Sequence, residues 1–186
     1  MAWHRDGTTH WDSPDFDEGT HGFNFMAQLY GCTSANGVWV VPGSHKERYV
    51  DIADMVTRAG SERIEEAIPM ICNPGDVVIS NRQAVHGSFA NTSSDWRITI
   101  NQGFHRRKSV LGVKGGGLHG KPAVYDAERI IERSKIIKLA IEARKQRFPD
   151  EQAFEYKPLS ASTEDFTWNA AARKSLHDYN LLDLSI

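Results

Sequence analysis

Over roughly the first 110 residues of this 186-residue chain, apolar positions come in short bursts, each closed by turn residues. Residues 23–30 form an apolar-rich run with partial alternation. Val38-Trp39-Val40-Val41 is β-branched and aromatic and stops at Pro42-Gly43-Ser44, a turn signal. Residues 67–72 form another apolar run, ended by Asn73-Pro74-Gly75, and Asp76-Val77-Val78-Ile79-Ser80 follows at once. These two runs are expected to be antiparallel neighbours. Residues 84–89 and 96–104 complete the predicted strands, and residues 52–67 are more helical in composition. Many short strands at such spacing predict a mainly β fold, a sandwich or jelly roll.

The pattern changes after about residue 110. Residues 112–120 are glycine-rich around Lys114, and no Gly-Lys-Ser/Thr closes the stretch, so it reads as a linker or lid and not as a phosphate-binding loop. From Asp126 to about Arg147 the period becomes helical: Ala127, Ile130, Ile131, Ile137 and Ile141 recur at three, four and seven residues. Asp126 stands at the N-cap and Pro149 ends the helix. A second helix is expected over residues 164–179, with Thr163 as its cap. The reading is one domain: a β core over residues 1–110, then a glycine-rich loop and a helical C-terminal extension over residues 111–186, packed on the strands or forming a dimer surface.

Composition narrows the function classes. The formal charge is -2 with a pI near 6.4, which favours neither nucleic acid nor an anionic membrane. No stretch approaches the ~20 apolar residues of a membrane span, and the N-terminus lacks the apolar run of a signal peptide. Only Cys32 and Cys72 occur, far apart in sequence, so a reduced, cytoplasmic setting is expected. Eight histidines and five tryptophans are generous for this length and direct attention to site chemistry.

His4-Arg5-Asp6 is the first candidate. In an extended segment, residues two apart point to one face, so an imidazole and a carboxylate converge on one ion. Alone the triplet is weak, and a solvated histidine near a chain end is its bland alternative. His86, in Gln83-Ala84-Val85-His86-Gly87-Ser88, supplies a third ligand. Two histidines and one carboxylate make a facial triad with three open positions, which suits iron(II) binding a bidentate cosubstrate and dioxygen, and suits zinc hydrolysis less well. Arg97 is expected on the next strand, facing inward, where an isolated charge is costly and a carboxylate-bearing ligand satisfies it. Thr99 shares the face of Arg97 by alternation and Ser88 that of His86, so either hydroxyl is a candidate hydrogen-bonding group for the same ligand.

Taken together, Trp3-His4-Arg5-Asp6-Gly7, Asn36-Gly37-Val38-Trp39-Val40-Val41-Pro42-Gly43-Ser44-His45-Lys46, Pro74-Gly75-Asp76-Val77-Val78, Val85-His86-Gly87-Ser88-Phe89-Ala90-Asn91-Thr92-Ser93 and Arg97 resemble the phytanoyl-CoA dioxygenase family of iron(II)/2-oxoglutarate oxygenases. The resemblance covers about residues 3–104. It implies a double-stranded β-helix (jelly roll, cupin-like) with Fe(II) on His4, Asp6 and His86. It also implies 2-oxoglutarate chelating the iron while Arg97, assisted by Ser88, holds its far carboxylate, and O2 as co-reactant. Hydroxylation of a small organic substrate is the implied outcome, and the presence of Asp6 speaks against halogenation. His45 is implied to be a turn residue outside the metal site.

Two departures shape the expectations. Family members carry a long region before the His-x-Asp motif, whereas three residues precede His4, so the chain reads as N-terminally shortened: a fragment, a naturally shortened form, or one whose missing strand comes from a partner. An unpaired edge strand then invites a homodimer. Residues 8–22 are rich in His, Asp and Thr and read as a loop over the site, with His10 and His21 as exposed loop histidines and site lining as the lesser alternative. The alternatives to an active oxygenase are an inactive or truncated relative and a cupin-type metal-binding module, which would give Arg97 no role.

Overall fold

The structure is a computed structural model that describes residues 3–6, 19–115 and 123–176. It divides into two compact units, Met1–Ser109 and Val110–Ile186.

The first unit is built on two three-stranded antiparallel sheets. One has the order β4-β1-β6, from β1 (Gly22–Gln28), β4 (Val77–Asn81) and β6 (Thr99–His105). The other has the order β3-β2-β5, from β2 (Val38–Val40), β3 (Ile68–Pro69) and β5 (His86–Ser88). Along β1 the buried positions are Gly22, Asn24, Met26 and Gln28. Period-two alternation therefore gives this sheet one polar inner face, opposite a face carrying Phe23, Phe25 and Ala27. In register with the inner face are Thr99 opposite Gln28 and Gly103 opposite Asn24.

Runs 67–72 and 76–80 are not neighbours. β3 joins β2 and β4 joins β1, in different sheets. The turn at Asn73-Pro74-Gly75 is a corner: Gly75 takes φ 90°, and its N–H donates to the Gln28 carbonyl while that of Gln28 donates to Asp76. The predicted helix over 52–67 is shorter, α1 (Ile52–Ala59), capped by the Asp51 side chain and stopped by Gly60 at φ 60°. Ile52, Met55 and Val56, at the helical spacing, pack on the cluster of Val41, Ile64, Ala67 and Val85. Burial of that cluster is what holds the segment against the ends of β2, β3 and β5; Val85 is wholly inaccessible.

A short helical turn, α2 (Arg107–Val110), runs across the division between the units. The second unit has a two-stranded hairpin, β7 (Lys114–Gly115) with β8 (Ala123–Val124), followed by α3 (Ala127–Arg147). As predicted, Asp126 caps α3, accepting from the Arg129 N–H. The second predicted helix starts later than expected: α4 (Ala170–Ser175) is capped by Asn169, not Thr163. The reason is local. Asp165 accepts from the Thr167 N–H, a turn that competes with helix, and Phe166 is buried with Leu139 and Leu159. Residues 177–179 of that expectation lie outside the described residues, as do most of the glycine-rich stretch and residues 8–18 of the expected loop, His10 included. No described helix is long and apolar enough to cross a membrane.

Candidate metal centre

His4 and His86 face each other across an isolated antiparallel bridge. Their backbones exchange both hydrogen bonds, each at 3.0 Å. A directly opposed pair puts both side chains on one face, and the imidazole centroids lie 4.3 Å apart. Asp6, two residues on, shares that face and is fixed by its N–H to the Arg82 carbonyl at 3.1 Å. One carboxylate oxygen lies 3.6 Å from His4 Nε2 and the other 3.9 Å from His86 Nε2. All three ligand atoms fall within 4.8 Å of one another, the one such cluster among the described residues. The side chains are 33%, 22% and 19% exposed for His4, Asp6 and His86, leaving access for small ligands.

The geometry fits a metal. His86 Nδ1 lies 3.0 Å from the Ala84 carbonyl oxygen. A carbonyl only accepts, so Nδ1 carries the proton and Nε2 presents its lone pair towards Asp6 and His4. Two imidazoles and one carboxylate brought together in this way are a facial donor set.

The segment bearing His4 and Asp6 is held from both flanks. Trp3 packs edge-on against Phe89 at 5.6 Å and donates from its indole to the Glu62 carbonyl at 2.7 Å. Gly87 lets it in, since a Cβ there would stand 3.2 Å from the indole. Arg5 reaches the other way, donating to the carbonyls of Ser44, Glu47 and Arg48. Those carbonyls belong to or follow the 3-10 turn Ser44–Lys46, which begins after Gly43 at φ 82°. The Pro-Gly-Ser-His-Lys motif, then, does not bind metal. It latches the residue between two ligands, and His45 sits in the turn as expected. Ser44 also accepts from the buried Val85 N–H at 2.8 Å and donates to the Val41 carbonyl, tying β2 to the lead-in of β5.

Arg97 precedes β6 by two residues and does not lie within it. It lines an open pocket of about 320 Å³ with Asn36, Phe89 and Trp96 among its walls. Its Nη1 is buried without a hydrogen-bond partner among the described residues. Phe89, directly after Ser88 of β5, connects this pocket along the chain to the strand of His86. Ser88 is half-buried, and Thr99 donates its hydroxyl to Gln28 Oε1 at 2.7 Å. A larger pocket, about 650 Å³ between α3 and α4, is lined wholly by residues of the second unit.

The sequence reading missed three polar side chains. Arg5 is one; the others are Asn24, which donates to Asp6 Oδ2 at 2.8 Å, and Arg82, which donates to Asn24 Oδ1 at 2.8 Å. Burial draws the Arg82 guanidinium below its ordinary pKa while the Asp6 carboxylate opposes that shift. The one legible signal was Asn24 itself, a polar residue inside Phe23-Asn24-Phe25-Met26, where burial demands a partner. His21 is also corrected: it is buried, with Nδ1 2.7 Å from the Ser109 hydroxyl and Arg106 beside it, because it leads directly into β1. Cys32 and Cys72 are free thiols facing each other across a second isolated bridge.

Comparisons place the chain. The family model described as phytanoyl-CoA dioxygenase (PhyH) matches residues 1–99, just over half of the sequence. No curated protein matches. Among solved structures, the chain is similar to EvdMO1 at 30% identity, covering 57% of this chain and 23% of that one with a TM-score of 0.44. It is similar to EctD from S. alaskensis, in its structure with 2-oxoglutarate and 5-hydroxyectoine, at 23% identity, 61% and 40% coverage and a TM-score of 0.47. It is similar to the non-haem alpha-ketoglutarate-dependent epimerase SnoN from nogalamycin biosynthesis at 21% identity, 56% and 39% coverage and a TM-score of 0.40. The chain spans between 23% and 40% of the length of these structures. On the strength of the match over residues 1–99, the chain belongs to the phytanoyl-CoA dioxygenase family.

Proposed function

We propose that this chain carries the iron(II)- and 2-oxoglutarate-binding part of an oxygenase that hydroxylates a small organic molecule. The observation that carries the reading is the convergence of His4, Asp6 and His86 within 4.8 Å, with the His86 tautomer set for Nε2 ligation. In this reading the two sheets are the facing walls of a double-stranded β-helix, and the triad sits where the segment of His4 meets β5. Iron(II) held there supplies open positions at which a 2-oxo acid and dioxygen react, giving succinate, carbon dioxide and a hydroxylated product.

The chain's own residues do the rest. His4, Asp6 and His86 occupy one side of the ion and leave the other to ligands. Arg97 offers a buried guanidinium nitrogen with no hydrogen-bond partner among the described residues, which a carboxylate satisfies with a charge-assisted hydrogen bond. Ser88 and Thr99 are the further candidates for that ligand, Thr99 through its remaining acceptor capacity because its proton is given to Gln28. Phe89 and Trp96 supply apolar walls to the Arg97 pocket.

The test is succinate release under air with iron(II), ascorbate and 2-oxoglutarate. Wild type is expected to form succinate. Arg97→Ala is expected to keep its metal content and lose roughly 1.5–3 kcal/mol of 2-oxoglutarate binding, about ten- to a hundredfold in Kd. Metal-loaded protein that yields no succinate would point to an inactive relative. Unchanged 2-oxoglutarate binding in Arg97→Ala would point to a cupin-type metal module.

A further inference from the structure

We propose that Asn24 and Arg82 are positioning residues that hold Asp6 to one-oxygen ligation, keeping three coordination positions open. This rests on the metal reading above and deepens it.

Asn24 sits in the middle of β1, 3% exposed, on the inner face of the sheet. Its two amide atoms point to opposite charges. Nδ2 donates to Asp6 Oδ2 and Oδ1 accepts from Arg82 Nη1, each at 2.8 Å. The orientation is forced. A guanidinium has only donors and an ionised carboxylate only acceptors, so a flipped amide would face donor to donor and acceptor to acceptor. Arg82 thus sets Asn24, and Asn24 occupies Oδ2. Oδ1, 3.6 Å from His4 Nε2, is the oxygen that Asn24 does not engage, while Oδ2, 3.9 Å from His86 Nε2, has one lone pair already taken and is the weaker donor to a metal.

The fold makes a place for this arrangement. Gly103 lies opposite Asn24 in the register of β1 and β6, and a Cβ there would come within 2.5 Å of Arg82 Nη1. Gly22 lies opposite His105, and its Cβ would stand 3.1 Å from Arg82 Cδ. Two glycines therefore line the path of the guanidinium across the sheet. Arg82 also fixes the other end of Asp6, its carbonyl accepting the Asp6 N–H.

The consequence is one of coordination number. A six-coordinate ion with three single-atom ligands has three vacant positions, enough for a bidentate 2-oxo acid and dioxygen together. A carboxylate binding through both oxygens would take one of them. A donor fixed on Oδ2 opposes that slide.

Mn(II) alone tests the proposal. Its affinity is read by electron paramagnetic resonance, and its bound waters are counted by water-proton relaxivity. Wild type is expected to bind one Mn(II) with three waters. Asn24→Ala is expected to bind roughly ten- to a hundredfold more weakly and to lose about one third of the water contribution as Asp6 turns bidentate. Arg82→Ala should weaken Mn(II) in the same direction, and the double variant should cost less than the sum of the two single losses, because both act through one carboxylate. Gly103→Ala, whose Cβ would press on the guanidinium at 2.5 Å and meet Asn24 Oδ1 only at an ordinary contact distance of 3.7 Å, provides a milder variant if the alanine changes impair folding; it too should weaken Mn(II). Asn24→Ala or Gly103→Ala with wild-type affinity and water number would overturn the proposal. Wild type failing to bind Mn(II), or His86→Ala binding it as well as wild type, would instead overturn the metal reading on which the proposal stands.

Discussion

Each side chain of the candidate centre is set by a backbone contact to a neighbour. Ala84 fixes the His86 tautomer, the Arg82 carbonyl fixes the Asp6 backbone, and the bridge to His86 fixes His4. Elsewhere, single residues make equally local predictions. The Thr99 hydroxyl is given to the buried Gln28, so Thr99→Val leaves an amide oxygen without its donor. It should cost about 1–3 kcal/mol of stability in a urea titration, and an unchanged midpoint would contradict that hydrogen bond. Burial and the adjacent Cys32 push the Cys72 thiol from 9.0 up to about 11. A folded-state pKa raised above the unfolded one stabilises below the unfolded value and is lost as pH rises through the folded one. The unfolding midpoint should therefore fall between pH 9.0 and about 11, and Cys72→Ala should remove that part of the fall. At neutral pH the folded thiol should alkylate slowly, since the thiolate is the reactive form.

Between elements, the site depends on two attachments of residues 3–6. Ser44→Ala removes the acceptor of the wholly buried Val85 N–H and loosens the turn that holds Arg5. About 1–3 kcal/mol of stability should be lost, with weaker metal binding alongside; calorimetry and metal titration of one preparation check both. Gly87→Val should force Trp3 off β5, at a cost of roughly 1–3 kcal/mol for overpacking. The strands themselves were legible because most of the apolar bursts end at Pro, Gly or Asn. Their pairing was not. Asn73-Pro74-Gly75 has the residues of a hairpin turn, yet a corner between two sheets needs the same left-handed glycine, so local chemistry does not separate the two. The C-terminal helix was misplaced for a related reason: Phe166 fits a helical period, but its burial with Leu139 and Leu159 is a tertiary demand invisible at that range.

At the scale of the whole molecule, the family match falls within the first unit and the second unit contributes its own cores around Tyr125 and Leu159. The sheet of β4, β1 and β6 leaves Phe23, Val77, Ile79 and Ile100 exposed, and β4 and β6 have no outer partner among the described residues. Unpaired edges and open apolar surface favour self-association. We expect a concentration-dependent mass in sedimentation, reduced by Ile79→Lys; a monomer at all concentrations would contradict this. The convergence of His4, Asp6 and His86 was legible in the sequence because His-x-Asp on an extended segment puts two of them on one face. Arg5, Asn24 and Arg82 were not, because single polar residues on strands and loops have no spacing that announces their partner. The most direct measurement of the central claim is anaerobic iron(II) binding. Wild type should retain one equivalent per chain, and His4→Ala, Asp6→Ala and His86→Ala should each lose it while remaining folded. Full iron retention by any of the three would contradict the shared site.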